Sequence, residues 1–167
     1  MTIHIERAAA CDVPALIEIC HAASATFGST WNEEYPNAEI LLDDAARASL
    51  FKIMADGEVA GLLAIGETDE YAALSDPSDG ERPFDFRRFG IHPNHQGKGI
   101  GILALREALA YAEAQGATCV RVLVSPSNPS ALATYRKAGF EPIRTIHLWD
   151  LEQLYCRYFS RGRKEQA

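Results

Sequence analysis

The sequence predicts a mixed α/β (α+β) fold, with a mostly antiparallel central sheet and helices on both of its faces. Strand-like and helical patterns follow one another in the order β-α-α-β-β-β-α-β-α-β-β. Asp56-Gly57 stands between two apolar runs, and this dipeptide is the strongest short-range hairpin signal in the chain. Gln96-Gly97-Lys98-Gly99-Ile100-Gly101 joins an apolar run to a helical pattern, which calls for one β-α-β crossover among the antiparallel strands.

Each element has its own signal. Thr2 to Arg7 alternates as a strand. Asp12 to Ala22 then offers an N-cap, an early proline and apolar residues at Val13, Leu16, Ile17 and Ile19, so it reads as a helix. Phe27 to Pro36 is aromatic and acidic with little periodicity and reads as a loop, in which Trp31 and Tyr35 either pack or line a site. A second helix is expected from about Asn37 to Ala48. Leu50 to Ala55 and Glu58 to Glu67 are the hairpin strands, and the acidic, unpatterned stretch Thr68 to Pro83 reads as a long surface loop.

Phe84 to Ile91 is the fourth strand. The helix after the glycine turn runs to Gly116, a residue suited to the left-handed C′ position. Cys119 to Val124 is short and β-branched, as buried strands are, and Pro126 follows it. Asn128-Pro129 opens a helix as N-cap and first-turn proline, and Gly139 closes it. Phe140 to Ser160 is either a final hairpin or, from Asp150, a terminal helix.

Composition narrows the classes of function. A chain of 167 residues with 47% hydrophobic content suits one packed core, so residues 1–167 are expected to form a single domain. No window approaches 18 uninterrupted apolar residues and the start has neither a basic leader nor an apolar core, so a cytoplasmic protein without membrane contact is expected. The net charge of -7 argues against nucleic-acid binding. Cys11, Cys20, Cys119 and Cys156 form no C-x-x-C pair and are read as reduced thiols; Cys119, beside a buried strand, reads as packing. His92 and His95 have the spacing H-x-x-H but no third ligand nearby, so no metal site is expected.

The glycine turn is where chemistry enters. Glycines without Cβ let backbone N–H groups converge on an anion, and the following helix adds unpaired donors and the positive end of its dipole. The turn lacks the Gly-Lys-Ser/Thr ending of a P-loop and the spacing of a dinucleotide fingerprint.

Phe89-Gly90-Ile91-His92-Pro93 with Gln96-Gly97-Lys98-Gly99-Ile100-Gly101 resembles the Gln/Arg-x-x-Gly-x-Gly/Ala motif of the GNAT family of N-acetyltransferases. Val122-x-Val124, Asn128 and Ala131-x-x-x-Tyr135-x-x-x-Gly139-Phe140 resemble the family's next strand and helix at the expected separation. The resemblance covers Phe84 to Phe140 and implies acetyl-CoA as co-substrate, an amine acceptor, and a cleft where the fourth and fifth strands splay apart. It implies that the amides of Gln96, Gly97, Lys98, Gly99, Ile100 and Gly101 grip the pyrophosphate, while Phe89, Gly90, Ile91 and Asn128 hold the pantetheine arm. Members are often dimers, so a homodimer is a further implied partner.

Transfer from a thioester to an amine needs a neutral amine, a polarised carbonyl and a proton for the departing thiolate. Asn128, Leu132 and Tyr135 lie at i, i+4 and i+7 on one helix face, and the resemblance makes Tyr135 the general acid. For a helix tyrosine taken by itself, a core aromatic is the ordinary reading. A backbone N–H near Ile91 would polarise the carbonyl. The family often places a glutamate on the fourth strand as base; this strand has none, and Asp85 is the candidate, with Glu33, Glu34 and Glu67 available to orient an amine. The alternatives are an acyl-CoA-binding or sensing module without catalysis, and a nucleotide-binding regulatory domain.

Overall fold

In the computed structural model, which describes residues 1–25, 29, 31–71, 74 and 76–160, seven strands form a single sheet. They are β1 (Ile3–Arg7), β2 (Leu50–Ala55), β3 (Glu58–Gly66), β4 (Pro83–Ile91), β5 (Cys119–Val124), β6 (Glu141–Leu148) and β7 (Leu151–Phe159). Their spatial order is β1-β2-β3-β4-β5-β7-β6, and every neighbouring pair is antiparallel except β4 with β5. Helices α1 (Val13–Ser24), α2 (Ala38–Ala46), α3 (Ile100–Ala114) and α4 (Pro129–Ala138) complete the predicted element order. Phe27 and the basic tail Arg161 to Lys164 lie outside the described residues.

The helices cover both faces because the strands alternate. Leu50 of β2 and Leu62 of β3 pack with Leu16 and Cys20 of α1 and Leu41 of α2. Phe51, Ile53, Leu63 and Ile65 turn the other way and pack with Ala104, Leu105, Ala108 and Leu109 of α3. The alanines of α3 let its backbone lie close to the sheet. Asp56 and Gly57 take φ of 50° and 85°, the left-handed pair a tight two-residue hairpin demands.

At the C-terminal end the structure resolves the two sequence readings in favour of the hairpin. Trp149 and Asp150, with φ of 55° and 59°, turn β6 into β7. Strand β7 pairs with β5 from Cys119–Phe159 to Val124–Leu154. A helix there would leave that edge of β5 without hydrogen-bond partners, and buried backbone groups are rarely left so.

Within Thr68 to Pro83, the described residues around Asp79 are anchored rather than free on the surface. A short 3-10 turn at Pro77–Asp79 buries Asp79, which accepts hydrogen bonds from Tyr155 Oη at 3.1 Å, Arg157 Nη1 at 2.8 Å and Arg121 Nη1 at 3.2 Å.

Strand β4 carries the irregularity that shapes the molecule. Leu62 faces Gly90 and Ala64 faces Arg87, so three steps along β4 match two along β3, and of the two β4 residues in between it is Arg88 that departs from strand geometry. This bulge residue has φ of 54°. A non-glycine residue in that region costs roughly 1–2 kcal/mol, which the surroundings must offset.

Candidate active site

Strands β4 and β5 pair only over Pro83–Asp85 with Cys119–Arg121. Beyond that vertex they diverge, and a cavity of about 1090 Å³ opens between them, bounded by the start of α3, by α4 and by the segments after α1 and β3. Asp85 sits at the closed end. It is fully buried directly opposite Arg121, whose guanidinium donates to both carboxylate oxygens at 2.7 and 3.0 Å. Burial raises the Asp85 carboxyl to about 6 against the pull of Arg121, which leaves the pair ionised at neutral pH. Asp85 does not line the cavity, so the structure does not bring this candidate base to the site.

One end of the cavity is the glycine turn. Gln96 Nε2 donates to Ile91 O at 2.9 Å and clips the turn to the end of β4. Gly97 and Gly99 have φ of 76° and 77°, and a Cβ at either position would meet no atom within 4 Å. The positive φ demands glycine at both positions, and the space they face is open. The amides of residues 97–102 have no backbone acceptor among the described residues. Buried Ile100 anchors the first turn of α3, so these donors are fixed before any anion arrives. Gly97, Gly99, Ile100 and Gly101 line the cavity; Lys98 shares the turn without lining it. His92 and His95 shape the preceding turn: His92 Nδ1 accepts from Asn94 N–H at 3.1 Å, and His95 Nε2 lies 3.9 Å from Glu58.

Phe89, Gly90 and Ile91 line the wall formed by β4, where the strand edge has left β5. Asn128 caps α4, its Oδ1 accepting from Ala131 N–H at 3.1 Å. The cap commits the oxygen and leaves the carboxamide NH₂ as the group free to donate to a ligand.

Tyr135 lines the cavity and is 7% exposed. Its ring packs edge-on against Phe86, Phe89 and Phe140, with centroids 6.0, 6.4 and 5.4 Å away. The hydroxyl makes no hydrogen bond to a described residue. Burial, with a smaller effect of neighbouring Cys156, pushes its ionisation above the ordinary phenol value, so it keeps its proton at neutral and mildly basic pH. The sequence spacing that puts Asn128 and Tyr135 on one helix face holds in three dimensions, and both residues face this cavity.

The other end holds residues that sequence reasoning missed. Arg87, Arg88 and Glu70 line it together with Trp31, Tyr35, Tyr71 and Trp149. Arg88 Nε donates to Asp44 at 3.2 Å, and its Nη1 donates to Tyr35 Oη at 3.0 Å and to Glu70 at 3.1 Å. Arg87 Nη1 reaches Glu70 at 3.3 Å. Burial works against it, yet hydrogen bonds and charge from Arg88, and then Arg87, hold the Glu70 carboxyl below its usual range. The Trp31 indole lies so close to β4 that a Cβ at Gly90 would fall 2.5 Å from it. Glu33 and Glu34 do not line the cavity, and Glu67 is paired with Arg82. Two consecutive arginines inside an apolar strand were the available signal for this end.

Among the described residues the lining therefore presents three cationic side chains, Arg87, Arg88 and Lys137, against the single carboxylate of Glu70. This contrasts with the net charge of -7 on the whole chain.

Comparison with known proteins agrees with this geometry. Residues 16–140 match the acetyltransferase (GNAT) family. An L-methionine sulfoximine/L-methionine sulfone acetyltransferase of Pseudomonas aeruginosa is 26% identical over 146 residues, covering 84% of this chain and 81% of that one. A streptothricin acetyltransferase of Streptomyces lavendulae is 31% identical over 98 residues, 59% of this chain and 47% of that one. Among solved structures, an aminoglycoside acetyltransferase in complex with coenzyme A and kanamycin superposes with a TM-score of 0.76 at 20% identity, over 99% of both chains. An N-acetyltransferase of Thermoplasma acidophilum in complex with coenzyme A gives 0.74 at 20% identity, over 96% of this chain and 100% of that one. With its splayed β4 and β5, its glycine turn and a family match over most of its length, this chain belongs to the GNAT family of acetyltransferases.

Proposed function

We propose that the protein transfers the acetyl group of acetyl-CoA to the amine of a compact, carboxylate-bearing acceptor of the amino-acid type, with both substrates in the cavity at once. The observation that carries this reading is a single cavity with two chemically different ends: unpartnered amides at residues 97–102, and an aromatic end lined by Arg87 and Arg88. A polycationic acceptor such as an aminoglycoside suits a wall rich in carboxylates, whereas here cations outnumber them. The relative that acts on L-methionine sulfoximine and sulfone, both amino acids, supports the same class.

Each step falls to a named group. The amides of residues 97–102 take the diphosphate; an anion at a helix N-terminus gains about 0.3–1 kcal/mol from the dipole alone when exposed, and more when partly buried. The unpaired edge of β4 from Phe89 to Ile91 and the Asn128 NH₂ bind the amide-rich pantetheine arm. A β4 backbone N–H near Ile91 polarises the thioester carbonyl. As the carbon–sulfur bond breaks, Tyr135 gives its proton to the leaving thiolate. Glu70, held ionised by the arginines, draws in the acceptor ammonium. Water removes the amine proton, since Asp85 is committed to Arg121.

The test is thiol release from acetyl-CoA with L-methionine sulfone, its methyl ester and kanamycin as acceptors. The free amino acid should exceed the ester at least tenfold in kcat/KM. Equal use of the ester, or a preference for kanamycin, contradicts the acceptor class. Binding of the coenzyme with no thiol release for any amine in a broader panel would make the protein a sensing module instead.

A further inference from the structure

The bulge in β4 sets the direction of two charged side chains. Successive strand residues point to opposite faces, yet Arg87 and Arg88 both reach Glu70 and both lie against Asp44, because the left-handed step at Arg88 breaks the alternation. The Arg88 guanidinium meets three separate segments of the chain. Asp44 belongs to α2, Tyr35 to the segment after α1, and Glu70 to the segment after β3. The Tyr35 hydroxyl and the Glu70 carboxylate find their hydrogen-bond partners on β4, and the same guanidinium lies 5.7 Å from the Tyr35 ring centroid. Tyr35 and Glu70 both line the cavity, while Asp44 stays buried behind the site as an anchor.

We propose that Arg88 is a positioning residue of the acceptor site: delivered by the β4 bulge and anchored on Asp44, its guanidinium holds Tyr35 and Glu70 as the walls against which the acceptor binds. The proposal rests on reading the aromatic end as the acceptor end. A planar group with five donors can bridge three partners at fixed angles, which an ammonium cannot. Coenzyme A binding at the glycine turn does not involve these contacts. Acceptor affinity therefore depends on Arg88, and coenzyme affinity does not.

Arg88→Gly combined with Asp44→Asn separates the guanidinium from the bulge. Glycine accepts the left-handed conformation, and asparagine avoids an unpaired buried charge. Expected are a coenzyme A Kd within about twofold of the parent and an acceptor KM raised at least tenfold, with Arg88→Lys failing to restore it. Tyr35→Phe and Glu70→Gln remove one wall contact each without touching the buried anchor. Each should raise acceptor KM severalfold, and they decide the matter if the double variant does not fold. An acceptor KM equal to the parent's in every folded variant overturns the proposal while leaving the acetyltransferase reading intact. A parent protein that releases no thiol with any amine overturns both.

Discussion

Tyr135 is held by three aromatic rings rather than by a hydrogen bond, and this environment decides which of its states can act. Burial disfavours the phenolate, so its pKa moves up and the proton remains available above pH 10. Tyr135→Phe should lower kcat by about 10² or more, within the range for a positioned proton donor, and leave the coenzyme A Kd unchanged. The parent should show no fall in kcat at pH 10 from loss of this proton; an unchanged kcat in the variant would remove Tyr135 from the acid role. Asp85 has the opposite character. Breaking its buried pair with Arg121 by Asp85→Asn should cost about 3–5 kcal/mol in urea unfolding. The pH–rate profile of the folded variant should keep its shape, whereas loss of an acidic limb, the fall in rate as pH drops through about 6, would restore Asp85 as base. The sequence showed Asp85 on the right strand, but the register of a parallel pair joins residues 36 apart and no local pattern encodes it. Tyr135 was legible because its partner Asn128 lies two turns away on the same helix.

The elements that local chemistry specifies were the ones readable in advance. The Asp56-Gly57 hairpin, the Asn128 cap and the closing glycines Gly116 and Gly139 all appear where the sequence put them, because turns and caps depend on a few adjacent residues. The β4 bulge was not readable, since its left-handed residue is an arginine held by contacts from distant segments. The final hairpin was ambiguous for a related reason: its pairing with β5 decides it, not its own pattern. At the glycine turn, Gly99→Ala places a side chain at φ of 77° on the N-cap of α3. Its Cβ meets no protein atom, so the melting temperature should fall by only a few degrees, as expected from a strain of roughly 1–2 kcal/mol. Coenzyme A affinity should fall at least tenfold in a calorimetric titration, because the Cβ enters the space the diphosphate needs. Unchanged affinity would contradict the phosphate role of the turn.

Across the molecule the charge is uneven. Arg87 and Arg88 are balanced by Glu70 and the buried Asp44, so Lys137 and the amides of the glycine turn are the groups that draw an anionic coenzyme in against the net charge of -7. Raising ionic strength should therefore increase KM for acetyl-CoA severalfold, through screening over about 8–10 Å; no change between 0.02 and 0.5 M salt, roughly a fivefold range in Debye length, would contradict it. Both tryptophans, Trp31 and Trp149, line the cavity, which gives substrate binding an intrinsic fluorescence signal. No helix among the described residues is long and apolar enough to cross a membrane. The cavity joins the glycine turn to the arginine-lined end without a break, and no cysteine lines it among the described residues. The proposed mechanism has the two substrates meet directly in this cavity, with no acyl group parked on the protein. Initial rates measured while acetyl-CoA and the amino-acid acceptor are varied together test this most directly: the double-reciprocal lines should intersect, and parallel lines would contradict the account.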